Sequence, residues 1–94
     1  MIEKIIFEHW RYDEHGCQRR YRRNFHPFKP QTKGGRTYCK ILLSDEQFVG
    51  WAFCSDKDNY NYKLGRDIAF GRAKKSLLMV HPEYHYVGQY LKNT

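Results

Sequence analysis

Between Val49 and Val80 the hydrophobic period of the chain changes once, from two to about 3.6, and the remaining segments must pack around that change. Val49, Trp51 and Phe53 alternate with Gly50, Ala52 and Cys54, the pattern of a strand whose two faces differ in bulk. Ser55, with Asp58 three residues on, has the spacing of a capped helix start, which assigns residues 55–80 to a capped helix best defined from Lys63 to Val80. Ala69, Phe70, Ala73, Leu77 and Val80 fall in one arc of that helix. The two alanines leave room for a close approach to a sheet. Arg72, Lys74 and Lys75 point the other way, and a weaker stripe of Leu64, Ile68, Leu78 and Met79 is left for the first hairpin or for a partner. His81-Pro82 ends the helix, because proline disfavours helical geometry in the residue before it.

The remaining segments supply the sheet. Residues 1–25 alternate around an Asp13–Gly16 turn and read as a first hairpin, with Ile5, Phe7, His9 and Arg11 on one face and Ile6, Glu8 and Trp10 on the other. On its return strand Arg19 and Tyr21 share a side, while Gln18, Arg20 and Arg22 share the opposite, wholly polar one. Residues 26–36 hold two prolines and a Gly-Gly pair and read as a basic loop. Residues 37–54 form a second hairpin around a turn at Ser44–Glu46, and residues 83–91 a C-terminal strand or tail. The expected fold is a single α+β domain: an antiparallel sheet of two β-hairpins, one helix packed across it and a short C-terminal strand.

Charge is distributed unevenly along this frame. Residues 17–40 hold the whole of the net charge of +7, since Arg19, Arg20, Arg22, Arg23, Lys29, Lys33, Arg36 and Lys40 occur there without an acid. Arginine forks bind phosphate oxygens or carboxylates in pairs, and Tyr21 offers a ring for stacking. The candidate binding set is therefore Arg19, Arg20, Tyr21, Arg22, Arg23, Phe25, Phe28, Lys29, Lys33 and Arg36, the arginines supplying attraction and Tyr21, Phe25 and Phe28 the apolar anchors. The bland alternative is a solvated basic strand face. No helix-turn-helix, zinc-finger or RNA-binding signature accompanies the block.

Other chemistry finds little support. Three cysteines without a CxxC pair fit a reducing compartment, and Cys39 is expected opposite residue 51 or 52, out of register with Cys54, so that these two are read as buried free thiols. His81 and His85 have metal-ligand spacing, but Pro82 between them denies a shared helical face, so no metal or other cofactor is expected. Adjacent acid–histidine pairs such as Glu8-His9 point to opposite sides of a strand, so no catalytic residues are assigned. Mean hydropathy is −0.88 and no apolar run spans a bilayer, nor does the N-terminus carry a signal-peptide pattern. The expected setting is intracellular, with no membrane partner.

The segment opening at Gly50 carries a resemblance. Gly50, Ala52, Cys54, Ser55, Lys57 and Asp58, followed by Gly65, Arg66, Ile68, Ala69, Gly71, Arg72 and Ala73, resemble a strand-to-helix segment of small bacteriophage and prophage proteins. Asp56 stands where that pattern has proline. The resemblance implies a non-enzymatic phage factor acting in the cytoplasm of an infected bacterium. Such a factor would inhibit a host defence complex such as CRISPR-Cas by binding a host protein or protein–nucleic-acid complex. The alternative is a nucleic-acid-binding module of phage replication or transcription, contacting DNA or RNA directly.

Overall fold

A computed structural model describes residues 1–22 and 28–89 of the chain. Strands β1 (Lys4–Tyr12), β2 (Gln18–Tyr21), β3 (Lys33–Leu42) and β4 (Gln47–Asn59) form one antiparallel sheet in the order β2-β1-β3-β4. Helix α1 (Tyr62–Val80) lies across one face, against β3 and β4. The α+β arrangement is the expected one, and the strand alternation holds through the sheet for residues 4–12 and 47–54, whereas Ile2, expected on the face of Ile6 and Trp10, precedes β1 and is buried in the core.

The first turn is built by Asp13. Its Oδ1 accepts from the backbone N–H groups of His15 and Cys17, each at 2.9 Å, and Gly16 takes the positive φ that closes the hairpin. These bonds, that from Cys17 foremost, hold the Asp13 carboxyl below its ordinary pKa.

Packing between helix and sheet depends on missing side chains. Gly50 of β4 sits under α1, and a Cβ there would lie 2.2 Å from the Ala73 nitrogen and 2.3 Å from the Ala69 carbonyl oxygen. Ala69, Ala73 and Leu77 are fully buried and join Ile2, Cys39, Ile41, Leu43, Ala52 and Val87 in the core. A fully buried Leu, Ile or Val is worth about 1.5–3 kcal/mol over its exposed state, so so small a core relies on close approach as much as on bulk. Arg72 remains exposed, yet its Nη1 donates to the Trp51 carbonyl of edge strand β4 at 2.7 Å.

Four expectations about boundaries are corrected. Lys33–Arg36 is strand rather than loop: Gly34 and Gly35 adopt φ of 78° and 132° at a β-bulge, so the glycine pair lets β3 start earlier. With that extra length, Lys33 pairs with Asn59, and β4 runs through Ser55–Asp58, where a helix cap was expected. The cap is Asn61, whose Oδ1 accepts from the Leu64 N–H at 3.0 Å. Val80, expected in the buried arc, is exposed, and so are Leu64, Ile68 and Met79 of the second stripe. Finally, the described part of residues 83–91 holds no strand. Pro82–Tyr84 is a 3₁₀ turn, and Tyr84 and Val87, three residues apart, turn back together onto the core.

Of the cysteines, Cys39 is buried, Cys54 partly buried and Cys17 exposed, all as free thiols. Cys39 lies opposite Gly50 and Cys54 opposite Gly35, so the two are out of register, one residue from the expected pairing. No helix of the described residues is long and apolar enough to cross a membrane.

Candidate nucleic-acid interface

Register assigns each strand residue to a face. On the helix side lie His9 and Arg11 of β1, Arg19 and Tyr21 of β2, Thr37 and Cys39 of β3, and Gly50 and Ala52 of β4. The other face carries Lys4, Ile6, Glu8 and Trp10 of β1 and Arg20 of β2. From β3 it receives Arg36, Tyr38 and Lys40, and from β4 Val49, Trp51 and Phe53. Among the described residues no helix or strand covers this second face.

Its β4 side chains are large and exposed, and those of β1 and β3 are mostly half-buried. Val49 is 38%, Trp51 49% and Phe53 54% accessible. Successive rungs mix cations with rings. One crosses all four strands as Arg20, Trp10, Arg36 and Phe53; the next sets Glu8, Tyr38 and Trp51 in line; a third sets Ile6, Lys40 and Val49. Neighbouring strands are about 4.8 Å apart, so Arg20 and Arg36 flank Trp10 at roughly 10 Å from one another. The Arg36 guanidinium lies over the Phe53 ring, 5.6 Å from its centroid. Lys40 Nζ holds both oxygens of Glu8, at 3.1 and 3.3 Å. Four cations against one paired acid leave the face positive.

The arginine-rich block does not form one strip, because strand alternation divides it. Arg20 and Arg36 reach the open face. Arg19 goes to the helix side, 4.8 Å from the Phe28 ring centroid and 3.8 Å from the Asp13 carboxylate. Phe28 is buried and meets Tyr21 edge-on at 5.6 Å, so both rings serve packing where they stand. Arg22 follows β2 and is exposed, as are Lys29 and Lys33. Arg23 and Phe25 lie outside the described residues. Missing from the expected set were Trp10, Tyr38, Lys40, Trp51 and Phe53. One signal pointed to two of them: if Gly50 and Ala52 meet Ala69 and Ala73, then Trp51 and Phe53 face away from the helix.

Beneath the helix, a polar cluster ties the first hairpin to the start of α1. Arg11, almost fully buried, donates to the Tyr62 hydroxyl at 2.7 Å and the Gln31 carbonyl at 2.6 Å, with its guanidinium 4.3 Å from the Tyr60 ring centroid. Tyr60 is within 2.6 Å of Thr37 Oγ1 and 2.7 Å of His9 Nδ1, and it donates to the Arg36 carbonyl at 3.0 Å. Burial pushes its phenol up to about 12, so it is neutral at physiological pH and acts as a brace rather than a nucleophile. That brace fixes the backbone of Arg36, whose side chain emerges on the opposite face. Among the described residues, no group of three or more His, Cys, Asp or Glu could hold a metal ion.

The fold and the face together define an α+β protein with one antiparallel sheet, covered on one side and displaying rings and cations on the other. Comparison with protein-family models, curated proteins and solved structures returns no match.

Proposed function

We propose that the open face of the sheet binds single-stranded nucleic acid, without chemistry of its own. The observation that carries this reading is the rung Arg20–Trp10–Arg36–Phe53, in which cations and rings alternate across a sheet face that no helix or strand of the described residues covers. Unpaired bases present π-faces to aromatic side chains, and their phosphates pair with arginine forks. The major groove admits a helix or a two-stranded ribbon, and a four-stranded sheet face is wider than either, which favours single strands. Four-stranded sheets that display aromatics stack bases in this manner in RNA-recognition modules.

The test is binding of a labelled oligo(dT) or oligo(U) to the purified protein by fluorescence anisotropy across a salt series. Single strands lose affinity with a slope of about −0.7 per phosphate neutralised, so Lys4, Arg20 and Arg36, the cations not paired with Glu8, predict a log–log slope near −2. Arg20→Glu should lower affinity and flatten that slope while leaving thermal stability unchanged, since the Arg20 side chain is exposed. Absence of binding at low salt would end this reading.

The resemblance of residues 50–73 to phage proteins supports a different use of the same cations. An inhibitor of a host defence complex would set them against an acidic or nucleic-acid-binding surface of its target. A host protein recovered from nuclease-treated lysate, with no oligonucleotide binding by the pure protein, would favour that use.

A further inference from the structure

Glu8 is the one acid among the open-face residues named above, and its position is hard to reconcile with packing alone. Its side chain is only 11% exposed, so it has been taken out of water, and its partner Lys40 is 35% exposed. A desolvated ion pair rarely repays its own cost, and a carboxylate on a phosphate-binding face repels the backbone it is meant to hold. Glu8 also lines a cleft of about 260 Å³ in that face, together with Trp10, Tyr38, Lys40 and Val49. That volume lies below the roughly 300–1,000 Å³ of drug-sized ligand sites, and suits one planar ring system.

A carboxylate beside an ammonium, between two aromatic side chains, is complementary to the edge of a base rather than to a phosphate. An ionised carboxylate only accepts, and an ammonium only donates. Guanine is the base that offers two adjacent N–H donors, at N1 and N2, next to a carbonyl acceptor at O6. Cytosine and adenine each present one amino donor on that edge, and thymine a single ring N–H.

We propose that this cleft is a base-recognition pocket selective for guanine, in which Glu8 accepts from the N1 and N2 hydrogens and Lys40 donates to O6. Trp10 and Tyr38 supply the stacking surface. The Glu8–Lys40 ion pair then holds the carboxylate in position before the base arrives. The inference rests on the open-face reading and adds the identity of a preferred base.

The test compares four short oligo(dT) strands that carry dG, dA, dC or dT at one central position, by anisotropy at fixed salt. A good bidentate pair discriminates by about 5- to 150-fold, so the dG strand should bind at least fivefold tighter than the other three. Glu8→Gln replaces one acceptor by a donor. It should bring the four affinities to within about twofold, while all-dT binding holds or rises as a negative charge is lost. Should Glu8→Gln fail to fold, competition by free GMP against AMP, CMP and UMP on wild-type protein reads the same preference.

Equal binding of all four strands by wild-type protein, or a dG preference that survives in folded Glu8→Gln, would overturn the guanine pocket and leave the open-face reading standing. No binding of any strand would remove both.

Discussion

The two faces of this sheet are written in alternate residues of the same strands and have opposite chemistry. On the covered face β4 contributes Gly50 and Ala52, and the helix answers with Ala69 and Ala73, so backbones meet with little between them. On the open face the same strand contributes Val49, Trp51 and Phe53, all accessible. A protein needing only to bury apolar area would do the reverse and put its rings beneath the helix, where each removes most surface from water. Leaving them in solvent beside Arg20, Arg36 and Lys40 costs solubility and returns no core stability. The comparison therefore separates what holds the fold from what the fold displays.

The sharpest way to break that separation is to exchange the two chemistries at adjacent positions. Gly50→Val would drive a branched side chain into the backbone of Ala69 and Ala73, where nothing flexible can yield. Such overpacking costs typically about 1–3 kcal/mol and more against backbone, so a loss of at least ~3 kcal/mol is expected in urea unfolding followed by circular dichroism. Val49→Thr, one residue away, should stay within about 0.5 kcal/mol, as surface substitutions do. Equal losses at the two positions would mean that both faces are structural.

The next effect lies on the other side of the comparison. Replacing Trp51 and Phe53 together by alanine should leave the unfolding midpoint nearly in place. Oligonucleotide affinity, at about 1–3 kcal/mol per stacked base, should fall by at least tenfold. A variant that unfolds more easily but binds as before would assign these rings to the core and reverse the argument.

How far the sequence carried the reading depended on whether a feature was local. The alternation at 49–54, the Asp13–Gly16 turn and the Ala69–Ala73–Leu77 stripe are short-range patterns, and the fold uses them as written. Gly34-Gly35 has the composition of a loop, and only the pairing of Lys33 with Asn59 makes it a bulge. The same pairing drew Ser55 into β4 and moved the helix start to Asn61, an instance of tertiary contact overriding a local cap signal. Tyr84 and Val87 read as strand only until the turn after Pro82 is seen to place them together. For the site, net charge pointed to residues 17–40, but a run of arginines cannot say which of them share a face with Trp10 and Tyr38. That is fixed by strand order and by where the helix lies. Cations were legible; their aromatic companions were not.

The smallest expected effect sharpens the comparison by moving one region and not the other. His81 caps the C-terminal end of α1, its N–H bonded to the Leu77 carbonyl at 2.7 Å. Its ring lies 2.9 Å from Glu46 and 3.3 Å from Glu83, and the hydrogen bond to Glu46, ahead of the charges of both acids, raises its pKa. A histidine with a raised folded pKa contributes stability that is fully present below its unfolded value of about 6.5 and is lost as pH rises through the folded value. The melting temperature should therefore fall modestly between pH 6 and pH 8, and His81→Gln should remove that part of the slope. Cys39 and Tyr60, both pushed up to about 12, change charge well above this interval. None of the residues named on the open face is a histidine, so oligonucleotide affinity measured in the same buffers should stay level across the interval. A pH-dependent affinity that tracks the melting temperature and vanishes in His81→Gln would show that the closed side of the sheet governs the open one.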